Sequence, residues 1–215
     1  MSGAASGRCS VKVSSYCKSP DKYKTKAISN TQANSGQGEH EKDQMRREGH
    51  LPDEVSWNAL IGGYAQQGLA EEALNCFRWM QREGTSPTAI SFVNVLNACS
   101  HSGLVDEGQM LFDSMQGKYG IVPDDEHYTC MVDLFGRARH FDKAMGIIKM
   151  MPSSDSPPIW SALLGACRKW GNVALGRMAF ECAVELDKCD AAAYVVMSNI
   201  YAAAGMQEEA QTLSI

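Results

Sequence analysis

Residues 55–87 read VSWNALIGGYAQQGLAEEALNCFRWMQREGTSP, and this stretch decides the fold. Its first half, SWNALIGGYAQQ, sets Trp57, Leu60, Ile61 and Tyr64 at helical spacing. Gly68 then ends that helix, because only glycine takes a left-handed C-cap cheaply. The second half, AEEALNCFRWMQRE, repeats the pattern with Ala73, Leu74, Phe77 and Met80, and Gly84 and Pro87 close the unit. The reading is a helix-turn-helix hairpin.

The hairpin recurs along the chain. Aromatics stand at Trp57, Phe92, Tyr128, Trp160 and Tyr194, separated by 35, 36, 32 and 34 residues. Eleven residues after the aromatic comes Gly68, Gly103, Gly171 or Gly205, and the third unit breaks the rule with Arg139. Sixteen residues after it stands a small residue each time: Ala73, Gly108, Ala144, Gly176 and Ala210. A small residue lets the paired helices approach closely. Helix starts are marked by PDE at 52–54, PDDE at 123–126 and SPP at 156–158, where Ser156 can cap and Pro157 takes the first turn. One hairpin cannot bury its apolar face alone, but stacked neighbours can. The expected fold is an all-α, right-handed α-solenoid of about five units.

Composition bounds the rest. Residues 1–52 carry nine Lys/Arg against five Asp/Glu, whereas residues 53–215 carry eleven against twenty. An acidic repeat region is not a bulk nucleic-acid binder, so any such binding must come from a local strip of side chains. Eight cysteines include no C-x-x-C pair, and Cys99 and Cys167 sit in matching apolar stretches, NACSHSG and GACRKWG, as small buried hydrophobes. No run is long and apolar enough to span a bilayer, so no membrane partner is expected. His127 and Cys130 share a helix face, with His140 further on, but no set of four ligands is evident, and neither metal nor cofactor is expected. No phosphate-cradling glycine loop, G-x-S-x-G or H-E-x-x-H occurs, and the chain reads as a non-enzyme.

The residues also carry a family likeness. VSWNALIGGYAQQGLAEEALNCFRWMQREGTSP closely resembles the pentatricopeptide repeat unit. Residues 91–152, from SFVNVLNACSHSG to GIIKMMP, resemble the long and short units of the plant class whose repeat lengths vary. IWSALLGACRKWGNVALGRMAFECAVELDKCDAAAYVVMSNIYAAAG resembles the extension motifs that follow the last true repeat in that class. A tetratricopeptide array would show fixed 34-residue spacing and a different consensus. The likeness divides the chain into a remnant of a preceding repeat at 41–53, repeats at 54–88, 89–124 and 125–156, and extension motifs at 157–190 and 191–215. On this reading the array is clipped at both ends.

The resemblance implies one base read per repeat of a single-stranded RNA. In the family, the residue after the first-helix aromatic and the last residue of the unit contact the base edge. That implies pairing Asn58 with Thr88, Val93 with Asp124, and Thr129 with Ser156, with Asp53 the surviving half of the remnant unit. Asn58 can donate and accept, Thr129 can do either, and Val93 can only sandwich a base. Asn at this place tends toward pyrimidines in the family and Thr toward purines, while Thr88 and Ser156 depart from the usual Asn or Asp. The extension motifs often precede a zinc cytidine deaminase, whose H-x-E and C-x-x-C are absent from this sequence. The implied role is organellar C-to-U RNA editing, with a deaminase or other editing proteins recruited in trans through residues 157–215. A protein-binding scaffold and a relic without activity are the alternatives.

Residues 1–38 hold eight Ser, six Lys/Arg and one acid, a composition of disorder that also fits an organelle transit peptide. Residues 1–40 are therefore expected to form a disordered tail that can serve targeting. Family resemblance sets the expected location at mitochondrion or chloroplast.

Overall fold

The computed structural model describes residues 53–153 and 155–213. The chain divides into residues 1–32 and 33–215, and all described residues lie in the second unit. The expected tail at 1–40 and the bulk of the 41–53 remnant fall outside the described residues.

Among the described residues there are ten helices and no strand. They form five antiparallel pairs: α1 (Glu54–Gln66) with α2 (Ala70–Arg82), and α3 (Ala89–Ser102) with α4 (Val105–Tyr119). α5 (Asp125–Arg137) pairs with α6 (Phe141–Met150), α7 (Pro157–Trp170) with α8 (Val173–Leu186), and α9 (Ala191–Ala203) with α10 (Gln207–Thr212). The first helices α1, α3, α5, α7 and α9 stack on one another in sequence. Helices α2, α4 and α8 each pack on their own partner and on the next unit's first helix. This is the two-layered, nearest-neighbour architecture of an α-solenoid.

The three sequence registers have three structural jobs. Trp57, Phe92, Tyr128 and Trp160 are buried and Tyr194 is half-buried, and three of the five pack on the second helix of the unit before. Phe92 meets Phe77 at 5.2 Å, Tyr128 meets Phe112 at 5.5 Å, and Tyr194 meets Phe180 at 5.1 Å, all edge to face. The small residues sit where two neighbours close in. A Cβ on Gly176 would stand 3.1 Å from Ile200 of the next unit and 3.4 Å from Cys167 of its own. One on Gly108 would meet Leu134 and Cys99. Cys99 and Cys167 are fully buried and unbridged, and burial pushes both thiols up to about 12.

The turn register is left-handed in all five units, at φ 72° for Gly68, 71° for Gly103, 67° for Gly171 and 79° for Gly205. Arg139 takes the same conformation, at φ 64°, so the missing glycine is a change of residue without a change of turn. The following N–H closes the Schellman bond each time, from Leu69 to the Tyr64 carbonyl at 2.9 Å and from His140 to that of Phe135 at 2.8 Å. The conformation costs a non-glycine residue about 1–2 kcal/mol. Arg139 also lays its guanidinium over Trp170, 5.7 Å from the ring centre, a contact worth about 0.5–1 kcal/mol at an exposed site. Relief of strain is the larger effect, so Arg139→Gly is expected to raise the melting temperature by a few degrees. A lower melting temperature would mean that the Trp170 contact outweighs the strain.

One cap expectation needs correction. Ser156 stands at the N-cap of α7 with Pro157 in the first turn, but its side chain makes no capping hydrogen bond. Asp53 does cap, its Oδ1 accepting from the Ser56 N–H at 2.8 Å.

Candidate functional site

The residue after each aromatic lies on the exposed edge of the first-helix layer. Asn58, Val93 and Thr129 are each half-buried there. The loop that enters the next unit brings its N-cap residue to the same edge, which places Thr88 beside Asn58. Asn58 Nδ2 lies 3.5 Å from Thr88 Oγ1, a weak hydrogen bond by length. The buried Ser91 hydroxyl binds both: Ser91 Oγ donates to Asn58 Oδ1 at 2.6 Å and accepts the Thr88 N–H at 3.0 Å. Asn94 donates from Nδ2 to the Asn58 carbonyl at 3.0 Å, tying α3 to α1.

The other two implied pairs are built differently. No hydrogen bond links Val93 to Asp124 or Thr129 to Ser156 among the described residues. Asp124 is exposed and serves as the N-cap of α5. Its Oδ1 accepts from the N–H groups of Glu126 at 3.1 Å and His127 at 3.3 Å, and lies 2.6 Å from His127 Nδ1. Partial burial works to raise the Asp124 pKa, but the His127 hydrogen bond and charge and the two N–H groups outweigh it and hold the carboxyl below its ordinary 3.8. Thr129 Oγ1 donates back to the Asp125 carbonyl at 2.7 Å. Its one proton is committed there, which leaves it an acceptor rather than either. Ser156 is only 7 % exposed and offers little to a partner in solution.

Sequence reasoning missed four contributors. Val55 and Ile90 are 53 % and 61 % exposed, each three residues before Asn58 or Val93 and so on the same helix face. The signal was a β-branched residue at that offset in both units. Ser91 and His127 were also missed as interface residues. His127 is fully buried, with Nε2 3.0 Å from the Ala89 carbonyl of the preceding unit. Both ring nitrogens are therefore engaged, which leaves none for a metal. No group of three potential ligands gathers among the described residues.

Chemically, the first junction offers a polar edge flanked by exposed apolar surface. Asn58 Nδ2 keeps a proton, while Thr88 Oγ1 accepts both from Asn58 and, in a capping box, from the Ser91 N–H, with Val55 and Ile90 on the same layer. That combination suits a flat heterocycle with hydrogen-bonding groups on its rim. Arg137 ends α5 and Arg139 follows it, while Arg168 and Lys169 lie in the last turn of α7; of these, Arg137 pairs with Asp133 at 2.8 Å. Lys169 lies 4.9 Å from the ring centre of Trp170, which is 40 % exposed.

Comparison with known proteins places this geometry. A family model described as PPR repeat family matches residues 52–101, and one described as PPR repeat matches 90–119 and 126–156. The E motif model matches 170–214, beginning at the last residue of α7. A mitochondrial pentatricopeptide repeat-containing protein of Arabidopsis thaliana is 40% identical over 162 residues, 75% of this chain and 27% of that protein. The chloroplastic protein CRR2 of the same plant is 44% identical over 160 residues, 74% of this chain and 24% of that protein. The chain thus spans about a quarter of the length of these relatives. Several relatives are named as mitochondrial or chloroplastic. Among solved structures, the pentatricopeptide repeat protein PPR10 in complex with an 18-nt psaJ RNA element shares the fold. Its TM-score is 0.74 at 21% identity, covering 89% of this chain and 28% of that one. PPR10 from maize without that RNA gives 0.63 at 22% identity, with 83% and 26% covered. Three repeat matches, an E motif and helix pairs in the same register lead to one conclusion: the chain belongs to the pentatricopeptide repeat family, and its E motif points to the PLS class.

Proposed function

We propose that this chain supplies a sequence-reading surface for single-stranded RNA in an organelle, with no catalytic role of its own. The observation that carries the reading is the junction of the first two units. There Asn58 and Thr88 meet at an exposed edge, flanked on the same layer by Val55 and Ile90. PPR10, whose fold this chain shares, is described in complex with RNA, which supports the same use of the first-helix layer here. Val93 with Asp124, and Thr129 with Ser156, are the second and third reading positions of this proposal. Because Ser156 is buried, the third position rests on Thr129 as an acceptor. Arg139, Arg168 and Lys169, at the ends of α5 and α7, supply the local positive charge that an acidic repeat region needs for phosphate contact. C-to-U editing, with a deaminase or other editing proteins bound through residues 157–215, is the finer form of the proposal, supported by the E motif.

The test is binding at low salt to hexauridylate, hexacytidylate and hexaadenylate, comparing the parent chain with Asn58→Ala. A well-read base contributes about 1–3 kcal/mol, so the preferred hexamer should lose roughly fivefold to a hundredfold in affinity. The salt dependence should stay unchanged, because no phosphate contact is removed. Absence of binding at low salt, or an unaltered base preference in Asn58→Ala, would overturn the reading.

A further inference from the structure

Ser91 is fully buried, belongs to the second unit, and yet bonds both members of the reading pair at the first junction. The hydrogens close in one sense. Ser91 Oγ gives its single proton to Asn58 Oδ1 at 2.6 Å, so it can only accept from Thr88, whose Oγ1 lies 3.3 Å away. Asn58 Nδ2 then donates to Thr88 Oγ1 across the long 3.5 Å edge. Met80 Sδ, 3.8 Å from Ser91 Oγ, is the weaker alternative acceptor. The result is a three-membered ring, Ser91 to Asn58 to Thr88 and back, closed tightly on its buried side and loosely on its exposed side.

We infer that Ser91 is a specificity-determining positioning residue: it fixes the Asn58 carboxamide with oxygen inward and N–H outward, so that the first junction selects a base edge that presents an acceptor. An amide free to turn would present either group and would accept either kind of edge. The weak exposed edge is the place where a base rim enters, because its 3.5 Å hydrogen bond is the longest of the ring and Asn58 Nδ2 has a second proton to give. The same register in the next unit holds His127, which is likewise buried. It also bonds the N-cap residue of its own helix, Asp124, and reaches the preceding unit's first helix, at the Ala89 carbonyl. The residue before the aromatic thus couples a unit's entry loop to its predecessor at both junctions. The inference rests on the RNA reading proposed above.

The experiment compares the parent chain, Ser91→Ala and Ser91→Thr for binding to the same three hexamers, with the Asn58 side-chain amide followed by NMR. Ser91→Ala should bring the affinities for the three hexamers to within about twofold of one another and shift the Asn58 side-chain amide resonances. Ser91→Thr, which keeps the hydroxyl, should retain the parent preference. A merely structural hydroxyl would lower the melting temperature and leave the preference untouched. If the parent discriminates and Ser91→Ala discriminates equally, the inference falls while the RNA reading stands. If the parent binds none of the hexamers at low salt, the RNA reading falls and takes the inference with it. Should Ser91→Ala not fold, Ser91→Cys, which keeps the size of the side chain but donates only weakly, takes its place and must weaken the preference; an unchanged preference overturns the inference.

Discussion

Phe92→Ala is expected to destabilise the array by about 3–5 kcal/mol, the range for a large aromatic removed from a packed core. The side chain is fully buried. Its ring stands 5.2 Å from Phe77 of the first unit and 5.2 Å from Tyr119 of its own, edge to face in both cases. Tyr119 in turn donates its hydroxyl to Gln81 Oε1 of the first unit at 2.7 Å. The substitution therefore opens a cavity at a junction instead of inside one hairpin. Because solenoid stability is a sum of unit and nearest-neighbour terms, the loss falls on the coupling between units one and two. Urea unfolding followed by circular dichroism should show a lower midpoint, and a separate early transition for the first hairpin. A cost below about 1 kcal/mol would mean that Phe92 does not bridge the units as described.

Gly136→Ala should cost about 1–3 kcal/mol, as expected of one extra carbon forced into a full contact. A Cβ on Gly136 would lie 2.7 Å from the Ala166 Cβ. Neither atom can swing aside, since each is fixed to a helix backbone, so α5 and α7 must move apart. Trp170 Nε1 also donates to the Gly136 carbonyl at 3.1 Å and would be pulled with them. The obstacle at Gly108 is different in kind, being the far end of the flexible Leu134 side chain. Gly165 is the control: nothing lies within 4 Å of a Cβ there, and Gly165→Ala should stabilise by up to about 1 kcal/mol through helix propensity alone. Thermal melts of the two variants should move in opposite directions. Equal shifts would show that α5 and α7 are not in close contact at Gly136.

The repeat was legible because its physics is periodic. Aromatic, turn and small-residue registers each serve a packing or turn role that recurs from unit to unit, so five copies expose the rule even where one departs. Arg139 shows the limit: its left-handed φ was invisible, since the sequence signal was glycine and the conformation is set by the Schellman bond from His140. The site was legible only in part. Asn58 and Thr88 were named together, and they meet. The committed proton of Thr129 depends on a local back-bond to Asp125, and the burial of Ser156 on how α7 begins, neither of which residue type reveals. Ser91 and His127 reach partners 33 and 38 residues away. Such links exist only after the hairpins stack, and no local pattern encodes them.

RNA is proposed to bind along the first-helix edge of units one to three. The most direct measurement is a two-dimensional NMR titration of the chain with the preferred hexanucleotide at low salt. Shifts should concentrate on Val55, Asn58, Thr88, Ile90, Val93, Asp124 and Thr129, with the second-helix layer of α2, α4 and α6 silent. Shifts confined to that second layer, or none at all at low salt, would contradict it.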